Sequence, residues 1–280
     1  MHAMPHEEGA FRTTDGLELH EDHWLPATDP AAVVVLVHGF MEHAGRYAEA
    51  AAALNRRGYA VAALDLRGHG KSQGDRVFIH VFDQYLDDVE IFLDRVRARH
   101  RPKPLFLFGH SMGGTIAALT AAERRPELRG VVLSAPAVRV GRQVFPILRK
   151  LAGLLSAIFP RMRIVRMGNR WLSRDPEVCA DFRSDPLVFQ GRFPVRTGSE
   201  ILRAAQRLQD RAEDLRHPVL IVHGTGDRVT DADGSRRLHT RARSPDKTLK
   251  LYEGLYHDLL HEPEREQVTA DLIEWLTART

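Results

Sequence analysis

Val33-Val34-Val35-Leu36-Val37 carries no polar interruption. A β-branched run without alternation suits a strand buried on both faces of a parallel sheet. Five more runs are read as strands in the same way: Ala60 to Leu66, with Asp65 near its end, then Leu105 to Phe108, Val131 to Leu133, Val219 to Val222, and Thr248 to Tyr252, which Lys250 interrupts. Each stops at small or polar residues, among them His38-Gly39, Gly109, His223-Gly224 and Glu253-Gly254. Upstream, Leu17, Leu19, Trp24 and Leu25 lie among polar residues after the turn signal Thr14-Asp15-Gly16. That pattern predicts an antiparallel hairpin between Gly9 and Pro26. Tyr85, Val89, Phe92 and Val96 recur at helical spacing and predict a long helix from Asp83 to His100. Ala44–Arg57, Met112–Arg124 and Pro263–Arg279 also read as helices.

Strands alternating with helices imply an α/β fold: a mostly parallel central sheet with helices on both faces and the antiparallel hairpin at its N-terminal side. The alternation breaks between Ala137 and Leu215, where five prolines punctuate a mostly helical stretch. We read residues 1–136 and 216–280 as the core and 137–215 as an inserted helical cap. In open α/β sheets the ligand crevice lies beyond the carboxyl ends of the strands. A cap inserted after a strand end would roof it.

Composition narrows the class. The chain has 280 residues, 43% hydrophobic and 28% charged, which is globular and not disordered. Its one cysteine, Cys179, rules out an internal disulfide framework and a Cys-rich zinc site. No apolar run approaches the roughly 18 residues of a spanning helix, and the first residues lack the apolar stretch of a signal peptide. The expected location is cytoplasmic, extending to peripheral membrane contact. Five of the forty basic residues are Lys and the rest Arg, against thirty-seven acids, for a net charge of +3. The Arg residues are scattered and aromatics make up only 7%, so the basic clusters with interleaved aromatics of a nucleic-acid binder are absent.

The strongest chemical signal is Gly109-His110-Ser111-Met112-Gly113-Gly114. It fits Gly-x-Ser-x-Gly between a buried strand and a helix, the context of a nucleophile elbow. The alternative is a serine that merely caps the helix. A serine nucleophile needs a base and an orienting acid, expected in the order Ser, Asp or Glu, His. Asp227 follows the fifth run in His223-Gly224-Thr225-Gly226-Asp227, and His257 follows the sixth in Gly254-Leu255-Tyr256-His257. Asp231 and Asp233 lie further from the strand end and suit a helix cap; His261 suits a surface turn. His38, His69, His110 and His223 read as loop-ordering residues. The oxyanion donors are expected to be the backbone N–H groups of Met112 and Phe40. No cofactor and no metal are implied: His257 and His261 are spaced four apart, but no His-Glu-x-x-His accompanies them.

These motifs together resemble the α/β-hydrolases of the monoacylglycerol lipase and lysophospholipase group. The likeness rests on His38-Gly39-Phe40-Met41-Glu42-His43-Ala44-Gly45-Arg46-Tyr47, on Asp65-Leu66-Arg67-Gly68-His69-Gly70-Lys71-Ser72-Gln73-Gly74, on the serine motif, and on the Asp227 and His257 loops. It covers roughly residues 10 to 278 and is weakest in the cap. The resemblance implies a serine hydrolase that cleaves monoacylglycerols to fatty acid and glycerol; lysophospholipids and simple carboxylic esters are the alternatives on the same triad. It gives Phe40 as an oxyanion donor and notes Met41 where many members carry Gly. It also implies that Glu42 and Arg46 receive the glycerol head group; the alternative is a salt bridge that orders the loop. In the cap, Phe145, Ile147, Leu148, Leu151, Leu154, Leu155, Ile158 and Phe159 form an apolar stripe flanked by Arg and Lys. Such a stripe either dips into a lipid surface or packs on the domain beneath.

Overall fold

The computed structural model describes residues 5–139 and 155–280. Eight strands form one sheet in the order β1-β2-β4-β3-β5-β6-β9-β10. They are β1 (His6–Arg12), β2 (Glu18–Trp24), β3 (Ala32–Val37), β4 (Tyr59–Leu64), β5 (Leu105–His110), β6 (Gly130–Ser134), β9 (Val219–Gly224) and β10 (Lys247–Tyr252). A separate antiparallel ribbon pairs β7 (Arg163–Val165) with β8 (Phe193–Pro194). β1 and β2 form the expected hairpin, and β2 joins β4 antiparallel. From β4 to β10 every neighbour is parallel.

The unbroken apolar runs have their physical reason in two cores. Val33, Val35 and Val37 face one, against the helix Asp83–His100; Val34 and Leu36 face the other, with Tyr47, Leu54 and Trp275. β10 departs from the expectation of a strand buried on both faces. It is the sheet edge, and every second residue from Thr248 to Lys250 is exposed.

Between β6 and β9 the described chain carries the helices Pro176–Ser184 and Val195–Asp210 as well as the ribbon. The ribbon was not legible in sequence because one of its strands has two residues, and one of those is proline. Of the apolar stripe, Phe145, Ile147, Leu148, Leu151 and Leu154 lie outside the described residues. Ile158 and Phe159 at its end are exposed, at 57% and 54%. No described helix is long and apolar enough to cross a membrane.

Candidate active site

β5 ends at His110 and the helix Met112–Leu119 begins two residues later, so Ser111 alone makes the turn. Its backbone sits at φ 54°, ψ −117°. A non-glycine residue held there costs on the order of 1–3 kcal/mol and persists only where the surroundings fix it. Here they do. A Cβ on Gly109 would stand 2.2 Å from Gly113 O, and one on Gly113 would stand 2.2 Å from Val37 O. The Ser111 side chain caps nothing in the helix. Its Oγ instead lies 2.8 Å from His257 Nε2.

The other two residues come from the ends of β9 and β10. His257 Nδ1 lies 2.7 Å from Asp227 Oδ2. Asp227 Oδ1 accepts from the amides of Val229 (2.7 Å) and Thr230 (3.0 Å), which sets the carboxylate's angle. Burial alone would raise the Asp227 pKa; the charge of His257 and hydrogen bonds from His223 and His257 override it and hold the carboxyl well below its ordinary value. Burial would likewise make His257 less basic, but the charge and hydrogen bond of Asp227 prevail and raise it. The result is an ionised acid that fixes Nδ1–H on His257 and leaves Nε2 to take the serine proton. Of the competing acids, Asp231 caps the helix Ala232–Arg241, and exposed Asp233 pairs with Arg236.

No described hydrogen bond uses the N–H of Phe40 or Met112. The loop after β3 passes close to the nucleophile: a Cβ on Gly39 would lie 3.3 Å from Ser111 Cβ. Met41 adopts φ 72°, the left-handed region that glycine enters freely. A glycine at this position would adopt the same backbone without the cost of roughly 1–2 kcal/mol that Met41 carries. The Met41 carbonyl accepts from Phe189 N at 2.9 Å.

The geometry favours the loop-ordering alternative for Glu42 and Arg46. Glu42 is buried, and its carboxylate accepts from Gly39 N (2.6 Å), Tyr47 Oη (2.7 Å) and Arg46 Nε (3.0 Å). Arg46 also donates to Asp258 Oδ2 at 2.9 Å. Glu42 reaches the pocket wall; Arg46 is not among the lining residues. His261 departs from the expected surface histidine. It is largely enclosed, with Nδ1 on Asp258 Oδ1 (2.8 Å) and Nε2 on Arg46 O (2.9 Å).

A cavity of about 360 Å³ opens onto Ser111 and His257. Its outer wall comes from the inserted segment, with Met167, Leu172 and Phe182 beside Asn169 and Gln190. Sequence reasoning did not find these residues, because nothing in the local pattern says which side of an irregular segment faces inward. It also gave His38 and His223 one role. His38 does order loops, accepting from Leu66 N at 3.0 Å. His223 instead lies 3.1 Å from Asp227 Oδ2.

A parallel sheet with this elbow, base and acid at its strand ends defines the serine hydrolases of the α/β-hydrolase fold. Comparison with known proteins is more specific. The serine aminopeptidase S33 family matches residues 28–264. The monoacylglycerol lipase of Mycolicibacterium smegmatis is 38% identical, covering 97% of both chains. The human monoglyceride lipase is 36% identical over 99% of this chain and 91% of its own. A soluble variant of the Saccharomyces cerevisiae monoglyceride lipase, solved with a substrate analogue, superposes with a TM-score of 0.90 at 25% identity, covering 99% and 96%. The chain belongs to the serine aminopeptidase S33 family, and it is an ester hydrolase.

Proposed function

We propose that the chain hydrolyses monoacylglycerols, with Ser111, Asp227 and His257 as its triad. The observation that carries this is the unbroken contact from Asp227 through His257 to Ser111 at the floor of a cavity whose wall mixes the apolar Phe40, Met41, Met167, Leu172 and Phe182 with polar and charged side chains. The similarity to monoacylglycerol lipases over nearly the whole chain supports the choice of substrate. Ser111 Oγ attacks the ester carbonyl carbon while its proton passes to His257 Nε2. The carbonyl π electrons move onto oxygen, which the amides of Phe40 and Met112 receive; removing one such donor costs about 3–4 kcal/mol of barrier in comparable sites. The intermediate collapses, the C–O bond to glycerol breaks, and His257 returns its proton to the departing oxygen. Water then attacks the acyl-enzyme, again giving its proton to His257, and fatty acid leaves as Ser111 recovers its hydrogen. Each acyl methylene buried in the cavity contributes about 0.8 kcal/mol, so the tail carries much of the affinity.

Residues 137–215 act as the cap over this cavity. Exposed Ile158 and Phe159, with Arg161 and Arg163 following, suit transient contact with a lipid surface, where the substrate resides. The test is hydrolysis of a long-chain monoacylglycerol beside the matching lysophosphatidylcholine and p-nitrophenyl ester, with Ser111→Ala as blank. Preference for the monoacylglycerol is expected. Preference for the lysophospholipid would overturn the substrate, and turnover by Ser111→Ala would overturn the mechanism.

A further inference from the structure

Asp227 Oδ2, the oxygen that holds the base, is shared. Besides His257 Nδ1 at 2.7 Å, it receives Thr230 Oγ1 at 2.7 Å and His223 Nε2 at 3.1 Å. The His223 side chain is fully buried and takes no part in lining the cavity. Its other nitrogen, Nδ1, lies 2.7 Å from Ser235 Oγ. The tautomer follows from the partners. A carboxylate only accepts, so His223 must donate from Nε2. Ser235 Oγ, on the other ring nitrogen, fixes the orientation in which Nε2–H meets the carboxylate.

We propose that His223, oriented by Ser235, is a positioning residue that tempers the base: by donating to Asp227 Oδ2 it draws off part of the charge that would otherwise stabilise protonated His257. The inference rests on the triad reading above. Other groups face His257, and the proposal leaves them unchanged. The His110 ring centroid is 4.8 Å away, and its positive form would oppose protonation of His257; Asp258 and Glu42 favour it. His223 reaches His257 through Asp227 and through the Thr230 hydroxyl, which lies 3.3 Å from both His223 Nε2 and His257 Nδ1, so its removal should alter the pH at which the base works and not the fit of substrate.

The experiment is the pH profile of kcat/KM on a p-nitrophenyl ester, whose acid limb reports the base in the free enzyme. His223→Leu removes the donor at similar bulk. The limb should move to higher pH by roughly half a unit, as expected for losing one neutral hydrogen bond, with KM unchanged. His223→Gln, whose amide reaches to the same place, should restore the wild-type limb. Ser235→Ala removes the hydroxyl that holds the His223 ring in place, loosens the Nε2–H on Asp227 Oδ2, and should move the limb in the same upward direction, which covers the case of a poorly folded Leu variant. A limb that stays at the wild-type pH in a folded His223→Leu or Ser235→Ala would overturn the proposal. So would a change confined to KM. A wild-type protein with no turnover of any ester would instead bring down the triad reading itself.

Discussion

Replacing Glu42 by Gln separates two roles for the loop that carries Phe40. The carboxylate is buried, 4% exposed, and stays ionised: burial would raise its pKa, but His110 and Arg46 outweigh that and lower it. Gln keeps an oxygen for Gly39 N and Tyr47 Oη, so the loop retains its outline. What changes is the contact with Arg46, where an amide N–H or a neutral oxygen now meets the guanidinium. Hydrogen bonds to charged groups contribute about 1.5–3 kcal/mol. Arg46 keeps Asp258 as a partner, so the expected loss is near 2 kcal/mol. In a chain of this size that corresponds to a Tm fall of roughly 3–4 °C. The effect on rate comes through the backbone. Gly39 N–H is tied to Glu42, and the next amide, of Phe40, is the oxyanion donor proposed above; loosening it would forfeit part of the roughly 3–4 kcal/mol such a donor contributes. The expected outcome is a fall in kcat of about tenfold or more, equal for glyceryl, ethyl and p-nitrophenyl esters. Steady-state kinetics on the three esters, with a thermal melt, make the measurement. If kcat holds and KM rises for the glyceryl ester alone, Glu42 is a head-group ligand and the loop-ordering argument is wrong.

Two further outcomes follow from packing and burial. Gly113→Ala would drive a methyl group to 2.2 Å from Val37 O and 2.4 Å from His38 O, both backbone atoms that cannot move aside. We expect no folded, active protein, and a near-native melt with normal turnover would show that the elbow tolerates what its geometry forbids. Buried His38, His69 and His110 are held neutral by burial, with pKa values lowered to about 4, about 3 and about 4 from 6.5. Depressed groups stabilise the fold above 6.5 and lose that contribution as pH falls toward and through the folded value. Three such groups give a slope of roughly 4 kcal/mol per pH unit between about 6 and 4. Raised His257 and His261 do not offset it, since their contribution is already complete below 6.5. Denaturant midpoints at pH 7, 6 and 5 should fall steeply, and a flat series would contradict the burial argument.

The fold was readable wherever burial on both faces leaves no choice of residue. β3 differs by one residue from the apolar run that announced it, and the helix Asp83–His100 has the boundaries its periodicity gave. That Ser111, Asp227 and His257 would meet was readable because each lies in a tight turn: Ser111 between Gly109 and Gly113, Asp227 and His257 just past strand ends. Legibility failed where a side chain's role depends on what lies across the sheet. His223 looks like His38 in sequence, each following a strand and preceding glycine, yet one meets a backbone amide and the other the catalytic carboxylate. Glu42 and Arg46 sit four residues apart, consistent with either a mutual salt bridge or a ligand site. Asp258, which engages Arg46 and His261, is over two hundred residues away and carries no local signal.

The inserted segment that walls the cavity is also fastened to the loop that carries the base. Asp258 N donates to Leu172 O (2.8 Å), Ser173 Oγ to His261 O (3.0 Å), and Arg174 N to the buried carboxylate of Glu262 (2.6 Å), which also meets Arg174 Nε (2.5 Å). Trp171 packs on Tyr256, immediately before His257, with the Arg228 guanidinium 4.0 Å over its ring. Detaching this wall would break two hydrogen bonds to neutral carbonyls and two to the Glu262 carboxylate, leaving that fully buried group without its cation. An unpaired buried carboxylate alone is destabilising by about 3–5 kcal/mol. That exceeds what transient opening at each turnover can tolerate without slowing it by orders of magnitude. Residues 169–174 therefore belong mechanically to the core. Leu172 and Asn169 line the cavity, so substitutions there are expected to change the ratio of rates between esters while the acid limb of the kcat/KM pH profile stays in place.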